Sequence, residues 1–473
     1  MELLRKIYYG IVDFMNAVNA PVSTVLVVAL ALSALWFTFV TRGVQFRLIA
    51  DMVRLLVASD GKQKRDGKRK HISSFQAFSV SIASRVGTGN LAGVATAIVI
   101  GGPGAVLWMW VMALVGAANA FVESTLAQLF KIKGNDSYIG GPAYYIQKGL
   151  KSRFFACVFA VSIIACFGFA NNMVQSNTIS LAFASAFGVD PMWLGVIMTV
   201  VALLIFFGGI QRVAKVSAVV VPFMAIVYVL VTLGVIVMRF DQIPHVFGMI
   251  VSNAFGLDQA VGGGVGTAII YGFKRGLFSN EAGEGSAPNV AATATTSHPV
   301  NQGLIQALGV YTDTLIICTC TAFLILSTGV LGNGHSGIEL TQDAMSSVIG
   351  SFGYSLVACA IFMFAFTSII GNYYYGECNL HFITRNRGVL LVYRLCVGAM
   401  VMAGSVSTLE LVWSSCDFFM AIMACVNIVA ILLLGKYAVK CLNDYMRQKR
   451  AGTKPVYHSS IIPEIENDTE AWS

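Results

Sequence analysis

Residues 81–96 read Ser81-Ile-Ala-Ser-Arg-Val-Gly-Thr-Gly-Asn-Leu-Ala-Gly-Val-Ala-Thr96 and place a glycine-broken polar stretch inside an apolar segment long enough to cross a bilayer. Gly87, Thr88 and Gly89 form helix poorly, and a carbonyl group freed among them must find protein, water or an ion because hydrocarbon offers no partner. Such carbonyls, beside a hydroxyl and an amide, can bind Na⁺ or a small zwitterion. The stretch therefore predicts half of a mid-membrane binding site. The alternative is close helix packing through the Gly89 and Gly93 pair.

The composition is that of a polytopic membrane protein. The 473 residues are 56% hydrophobic and 11% charged, whereas soluble chains carry about 25% charged residues. The ten cysteines lie mostly inside apolar runs without the spacing of paired or metal-binding cysteines, which favours a packing role.

Lysine and arginine predict the orientation of the spans. The basic run Gly61–Lys70 follows the first span and is expected to be cytoplasmic, which places the N-terminus outside. The lysines and arginines of the later loops agree with this orientation if the chain has eleven spans. The seventh span is then expected to end on the cytoplasmic side at Lys274 and Arg275. The predicted organisation is an N-terminal transmembrane helix (1–41), a basic cytoplasmic segment (42–72), a first five-helix repeat (73–239), a second five-helix repeat (240–435) and a cytoplasmic polar tail (436–473).

A second glycine-rich stretch, 262–272, opens the seventh span about 180 residues after the first. Each glycine-broken span begins a run of five helices. Because five is odd, the second run starts from the opposite face, which predicts an inverted repeat with span 1 outside it. Paired broken helices in inverted halves are typical of the central site of a transporter.

Several motifs in the chain resemble the prokaryotic alanine or glycine:cation symporter family over about residues 15 to 440. They are Val86-Gly-Thr-Gly-Asn-Leu-Ala-Gly-Val-Ala95, Gly140-Gly-Pro-Ala-Tyr-Tyr145, Gly276-Leu-Phe-Ser-Asn-Glu-Ala-Gly283, His298-Pro-Val-Asn-Gln-Gly303 and Gly371-Asn-Tyr-Tyr-Tyr-Gly-Glu377. The resemblance implies sodium-coupled uptake of alanine or glycine. It also implies the all-α 5+5 inverted-repeat fold of the sodium-coupled leucine transporter, with about eleven transmembrane helices including one extra N-terminal helix.

The resemblance also implies a sodium site between spans 2 and 9. Its ligands would be the carbonyl oxygens of Ala83, Val86 and Phe364 and the hydroxyl groups of Thr367 and Ser368. The alternative for both hydroxyls is an ordinary hydrogen bond to the carbonyl one turn earlier.

The candidate substrate site combines half-helix ends, whose free N–H groups attract a carboxylate, with one polar and one aromatic side chain. Its predicted residues are Thr88, Gly89 and Asn90 on span 2, Gly266, Thr267 and Tyr271 on span 7, and Gln175 on span 4. The alternative role of Gln175 is an interhelical hydrogen bond. Phe167, Phe169 and Tyr271 could close the pocket, and their alternative role is core packing.

Charged residues at membrane depth are expensive and suggest a gate or ion pairs. The candidates are Arg85, Glu123 and Asp313, with Glu281, Glu284 and Glu377 as further acids and Lys274 and Arg275 as further bases. Arg85 must point away from the sodium site or be neutralised, because a permanent cation would repel Na⁺.

The predicted function is therefore sodium-coupled uptake of alanine or glycine by alternating access. Na⁺ is the expected coupling ion, and no other cofactor is expected. The protein is expected to contact the lipid bilayer and no nucleic acid. Proton coupling through Asp313 or Glu123 is the first alternative; a channel and a membrane enzyme fit less well, since charged pore rings and a paired nucleophile and base are not visible. The expected location is the plasma membrane of a prokaryote, the inner membrane in a Gram-negative cell. The preferred amino acid and the oligomeric state stay open.

Overall fold

A computed structural model describes residues 2–57, 72–134, 137–256 and 264–472. The basic run Gly61–Lys70 and the predicted start of the seventh span at Val261–Gly263 lie outside the described residues.

The described residues are almost entirely helical. The N-terminal helices are α1 (Glu2–Val40), α2 (Val44–Arg47), α3 (Ile49–Val57) and α4 (Ser74–Arg85). The chain continues with α5 (Val94–Gly101), α6 (Ala105–Leu129), α7 (Pro142–Gly149), α8 (Arg153–Ile163), α9 (Asn171–Phe187), α10 (Pro191–Phe206) and α11 (Gly209–Met238). The later helices are α12 (Ile243–Ala254), α13 (Val265–Asn280), α14 (Pro288–Ala291), α15 (Pro299–Val310), α16 (Thr319–Thr328), α17 (Gly337–Ile349), α18 (Phe352–Ile383), α19 (Arg387–Val406) and α20 (Leu409–Arg450).

Short non-α segments join some of these helices. Three π-helical segments occur: Gly89–Gly93 leads into α5, Ile164–Ala170 joins α8 to α9, and Tyr311–Cys318 joins α15 to α16. A small antiparallel hairpin of β1 (Ile132–Lys133) and β2 (Tyr138–Ile139) lies between α6 and α7. Three-residue to six-residue 3₁₀ turns occupy Phe240–Gln242, Ser459–Ile461 and Pro463–Asp468.

The helices confirm the predicted all-α polytopic class. Among the described residues, eight helices are long and apolar enough to cross a membrane. The sequence predicts three further crossings, and the shorter helix α10 and the two interrupted helices, α4 with α5 and α13 with α14, are the candidates for them. Many of the large apolar side chains on these helices are exposed, as is expected of surfaces that face lipid.

The first interrupted helix breaks where the sequence predicts it. Helix α4 begins at a capping box, in which the Ser73 hydroxyl accepts from the Gln76 N–H at 3.1 Å and the Gln76 side chain accepts from the Ser73 N–H at 3.0 Å. It ends at Arg85, and Val86 is extended with φ −80° and ψ 92°. Helical structure resumes with the π-helical turn at Gly89, so residues 86–88 form the interruption.

The second interruption is not where the glycine-rich stretch predicts it. Gly264 is the N-cap of α13, and residues 265–280 form one regular helix. The helix breaks instead at Glu281, which has a left-handed φ of 55°, and is followed by Gly283 and Gly285 with φ of 88° and 87°. The prediction that the glycine-rich stretch 262–272 interrupts the helix is therefore wrong for its described part, 264–272, and residues 281–287 form the second interruption.

Two sets of helices pack closely within themselves. In the α6 group, helix α6 lies against α13 and α15; in the α9 group, α9 lies against α18 and α19, and α8 lies against α7 and α18. The interrupted helix α4 touches members of both groups, α15 and α18. Helix α20 runs without a break to Arg450, beyond the predicted boundary at 435, and the tail proper begins after it.

Candidate transport site

The Ser368 hydroxyl lies against the first interruption. This hydroxyl, on α18, is 2.8 Å from the Ala83 carbonyl oxygen, 3.3 Å from that of Val86 and 3.1 Å from that of Phe364. The last carbonyl also accepts from the Thr367 hydroxyl at 2.9 Å, which lies 3.6 Å from the Met224 sulfur. All five predicted sodium ligands are therefore neighbours, and their side chains are buried.

Gly87 permits this close approach. A Cβ atom at this position would overlap the Ser368 hydroxyl and stand 2.7 Å from the Gln175 side-chain oxygen. Real Cβ atoms do not come so close to other atoms. Residue 87 must therefore be glycine for α18 and α9 to reach the interruption.

Thr88 and Gln175 join the interruption to α9. The Gln175 side-chain oxygen accepts from the Thr88 N–H at 3.0 Å and from the Thr88 hydroxyl at 2.9 Å. Its amide nitrogen donates to the Asn171 side chain at 2.8 Å. The N–H group predicted to attract a carboxylate thus holds an amide oxygen of the protein.

Asn90 and Asp313 form the centre of a second polar cluster. The Asn90 side chain accepts from the Gly87 N–H at 2.9 Å and donates to the Asp313 carboxylate at 2.7 Å. The other carboxylate oxygen accepts from Ser279 at 2.8 Å and from Thr314 at 2.9 Å. The four side chains come from the π-helical segment Gly89–Gly93, from α13 and from the π-helical segment between α15 and α16, and all are buried.

The second interruption lies against the first through Glu281. Its carboxylate accepts from Ser84 at 2.8 Å and from Ser286 at 2.5 Å, and the Tyr375 hydroxyl lies 3.4 Å away. A Cβ on Gly89 would stand 3.1 Å from the Ser279 Cα atom. The interruption at 281–287 is thus part of the same centre. The run Glu281-Ala-Gly-Glu-Gly285 was the available signal, since two glycines and two acids follow an apolar helix.

Glu123 satisfies the backbone of this second interruption. Its two carboxylate oxygens accept from the N–H groups of Gly283 at 3.2 Å and Gly285 at 3.1 Å. Asn427 on α20 donates to the same carboxylate at 2.9 Å and to the Gly283 carbonyl at 2.9 Å. Helices α6 and α20 therefore supply the partners that an unwound segment needs inside a membrane.

Three predicted substrate residues lie elsewhere. Gly266 and Thr267 are in the first turn of α13, about 20 Å along the helix axis from Ser279. Tyr271 lies beside Gly101, at the far end of α5 from the interruption. The structure thus contradicts the placement of Gly266, Thr267 and Tyr271 in the central site, because the helix that carries them is unbroken there.

The predicted ion pairs of the gate are also wrong. Arg85 donates to the Gln306 backbone carbonyl at 3.1 Å, and Glu123 and Asp313 have the partners given above. Lys274 pairs with Asp417 of α20 at 2.6 Å, and the Arg275 guanidinium lies 4.2 Å from the Trp413 ring centre. Both bases precede the interruption on α13, so they do not mark the inner end of the seventh span.

Solved structures share this arrangement of helices. A crystal structure of MhsT in complex with L-phenylalanine matches 80% of this chain and 99% of its own, with a TM-score of 0.53 and 11% identity. A mutant of the Eremococcus coleocola manganese transporter matches 85% of this chain and 95% of its own, with a TM-score of 0.55 and 13% identity. The protein is therefore an all-α polytopic membrane protein with two interrupted helices, and it shares the fold of these structures.

Sequence comparison narrows this class. The model of the sodium:alanine symporter family matches residues 8–459, and the chain belongs to that family. The probable sodium/glutamine symporter GlnT of Bacillus subtilis is 49% identical over 95% of this chain and 93% of its own length. The amino-acid carrier protein AlsT of the same organism is 49% identical over 93% and 92%. A sodium/proton-dependent alanine carrier protein of a Bacillus species is 38% identical over 86% and 94%. The relatives are transporters rather than enzymes, as the sequence predicts.

Proposed function

We propose that the protein carries a small neutral amino acid, alanine or glycine, across the plasma membrane of a prokaryote together with Na⁺ by alternating access. The observation that carries this proposal is the group of uncharged oxygen atoms around Ser368, where three backbone carbonyls meet one hydroxyl. Uncharged oxygens bind Na⁺ while still allowing it to leave, as a coupling ion must.

The sodium site joins two parts of the fold. Ala83 and Val86 belong to the interrupted helix, whereas Phe364, Thr367 and Ser368 belong to α18 in the α9 group. An ion held by both would replace the hydrogen bonds of the Ser368 hydroxyl and favour the arrangement in which the two parts are close. Sodium occupancy would thereby change the equilibrium between the two orientations of the carrier.

The substrate carboxylate has a natural place beside Thr88. The Thr88 N–H and hydroxyl converge on one oxygen atom, which at present belongs to the Gln175 amide. A carboxylate oxygen offers the same geometry with a full negative charge and forms stronger hydrogen bonds with these donors. Gln175 would then turn its amide towards the substrate.

The residues around the two interruptions favour a transported amino acid with a small side chain. The Phe278 ring lies against Gly89 and 4.8 Å from the Trp413 ring, and the Tyr375 ring, whose hydroxyl is 3.4 Å from Glu281, lies 5.3 Å from the Phe167 ring. A larger substrate would have to displace these rings. Because one relative is named for glutamine and another for alanine, transport assays should compare alanine, glycine and glutamine.

Proton coupling is the second candidate, and Asp313 favours it. This buried carboxylate lies beside the first interruption and has three donors, which come from α13 and from two π-helical segments. A group of this kind can exchange a proton during a transport cycle. One relative is named for both sodium and protons, which makes the distinction worth testing.

The test is uptake of radiolabelled amino acids into proteoliposomes with Na⁺ and H⁺ gradients imposed separately. We expect saturable accumulation of alanine with an inward Na⁺ gradient, and its collapse when a sodium ionophore is added. A pH gradient in sodium-free medium should not drive accumulation. Accumulation driven by the pH gradient alone, and abolished in Asp313→Asn, would replace sodium coupling with proton coupling. Non-saturable flux would indicate a channel.

A further inference from the structure

The tail after α20, residues 452–472, packs against the rest of the protein. The sequence predicts only a polar cytoplasmic segment here, yet Tyr457, Ile462 and Ile465 are buried, with exposures of 2%, 0% and 4%. Buried apolar side chains hold the tail in a defined position.

One side of the tail contacts the α6 group. The Trp472 indole N–H donates to the Gln128 carbonyl at the end of α6, at 2.9 Å, and the Tyr457 N–H donates to the Ser297 carbonyl before α15, also at 2.9 Å. The Lys131 ammonium lies 4.1 Å from the Tyr138 ring centre and 4.5 Å from that of Trp472. The last described residue is therefore anchored at the end of α6.

The other side of the tail contacts the start of the α9 group. Lys151, just before α8, pairs with Asp468 at 2.5 Å. Lys148, on α7, pairs with Glu470 at 3.1 Å. Four acids, Glu464, Glu466, Asp468 and Glu470, lie within seven residues of the tail. Of these acids, Asp468 and Glu470 face Lys148 and Lys151, Glu464 pairs with Lys440 of α20 at 2.6 Å, and the aromatic residues of the tail face the α6 group.

We propose that residues 456–472 form a clasp that holds the α6 and α9 groups together on the face predicted to be cytoplasmic. Alternating access requires these groups to move relative to each other, and opening on this face separates the places where the tail is attached. The clasp therefore disfavours opening on this face. Its ion pairs with Lys148 and Lys151 set how strongly it does so.

Cys378 provides a native reporter of opening on this face. It lies on α18, is 2% exposed, and its sulfur is 3.2 Å from the Gly140 carbonyl. One residue further along α18, Asn379 donates to Asn289 of α14 at 2.9 Å, where α18 meets the second interrupted helix. Cys378 also lines a cavity of about 450 Å³ beside Glu377 and Arg394. Separation of α18 from these neighbours would uncover its thiol.

The experiment measures the rate at which a membrane-impermeant thiol reagent modifies Cys378. The reagent is added to the predicted cytoplasmic face of membrane vesicles. All other cysteines of the protein are replaced beforehand. The variants are a chain ending after Gly452, Lys151→Glu, and Lys151→Glu combined with Asp468→Lys. Lys454→Glu, at an exposed position of the same tail, is the matched control for the change of charge.

We expect modification about threefold faster or more in the shortened chain and in Lys151→Glu, a rate near that of the parent in Lys454→Glu, and recovery in the charge swap. Unchanged rates in both the shortened chain and Lys151→Glu would overturn the clasp, as would equal acceleration by Lys454→Glu. The rate is measured without substrate or Na⁺, so an error in the proposed function would not alter the outcome. Uptake of the transported amino acid by each variant verifies that it is folded.

Discussion

Ser368 is the side chain on which the sodium proposal depends most. Its hydroxyl reaches the carbonyls of Ala83 and Val86 at the end of α4, whereas the Thr367 hydroxyl reaches only a carbonyl of its own helix and the Met224 sulfur. The sequence predicts both of these adjacent hydroxyls as sodium ligands. In the structure, only the Ser368 hydroxyl contacts the interrupted helix.

Removal of the Ser368 hydroxyl is expected to weaken sodium binding. Ser368→Ala should raise the Na⁺ concentration for half-maximal uptake about tenfold or more, the equivalent of about 1.4 kcal/mol. Thr367→Ala should raise this Na⁺ concentration by a smaller factor. That factor should still be much larger than any change in the amount of protein. Ser355→Ala, three to four turns earlier on α18, is the matched control. An unaltered sodium dependence in Ser368→Ala would remove the proposed ion site.

The Thr88 hydroxyl is expected to act on the substrate rather than on the ion. Thr88→Val keeps the shape of the side chain but removes the donor, and should raise the alanine concentration for half-maximal uptake about tenfold. Thr88→Ser retains the hydroxyl and should remain near the parent value. The measurement is initial uptake at saturating Na⁺. Equal values for the valine and serine variants would contradict a role for this hydroxyl in substrate binding.

The sequence predicts correctly which residues lie together at the site where separate motifs point to the same site. Gly87-Thr-Gly-Asn90 and Phe364–Ser368 belong to separate motifs, and the structure brings them together. Gly266 and Thr267 were chosen because glycines surround them, and glycine content alone does not distinguish a helix start from a break. Asn427 and Asn171 were missed because only the fold shows what their amides contact.

The second interrupted helix is stabilised by residues far away in sequence. Its free N–H groups are paired by Glu123, about 160 positions earlier, and its carbonyl at Gly283 by Asn427, about 140 positions later. An unwound segment in a membrane requires such partners. A local sequence pattern cannot show them, which is why the interruption was placed one helix length too early.

Glu123→Gln should destabilise this interruption. An amide offers one acceptor oxygen and turns an N–H₂ group towards an N–H donor, so one buried donor loses its partner, at a cost of about 1–3 kcal/mol. We expect a lower midpoint of thermal unfolding in detergent and slower uptake. Glu410→Gln, at the exposed start of α20, removes the same charge and should leave both values unchanged. A midpoint equal to that of the parent would show that Glu123 does not support the interruption.

For the whole molecule, hydropathy is sufficient to predict the all-α polytopic class. The length of the apolar runs predicts the long helices that could cross a membrane, and the polar glycine-broken run predicts the first interruption. The tail could not be predicted in this way. Its position depends on ion pairs with Lys148 and Lys151 and on one indole, which leave no periodic pattern in a polar sequence. The sidedness of the loops and the five-part division of the chain remain predictions.

The central claim is that the interruption at 281–287, rather than the helix start at 264–268, meets the first interruption. Oxidative cross-linking of paired cysteines tests it most directly, because Gly89 stands against Ser279 and about 20 Å from the turn that contains Thr267. With copper phenanthroline in membranes, the pair Gly89→Cys and Ser279→Cys should form a disulfide, and the pair Gly89→Cys and Thr267→Cys should not. A disulfide in the second pair without one in the first would contradict the account.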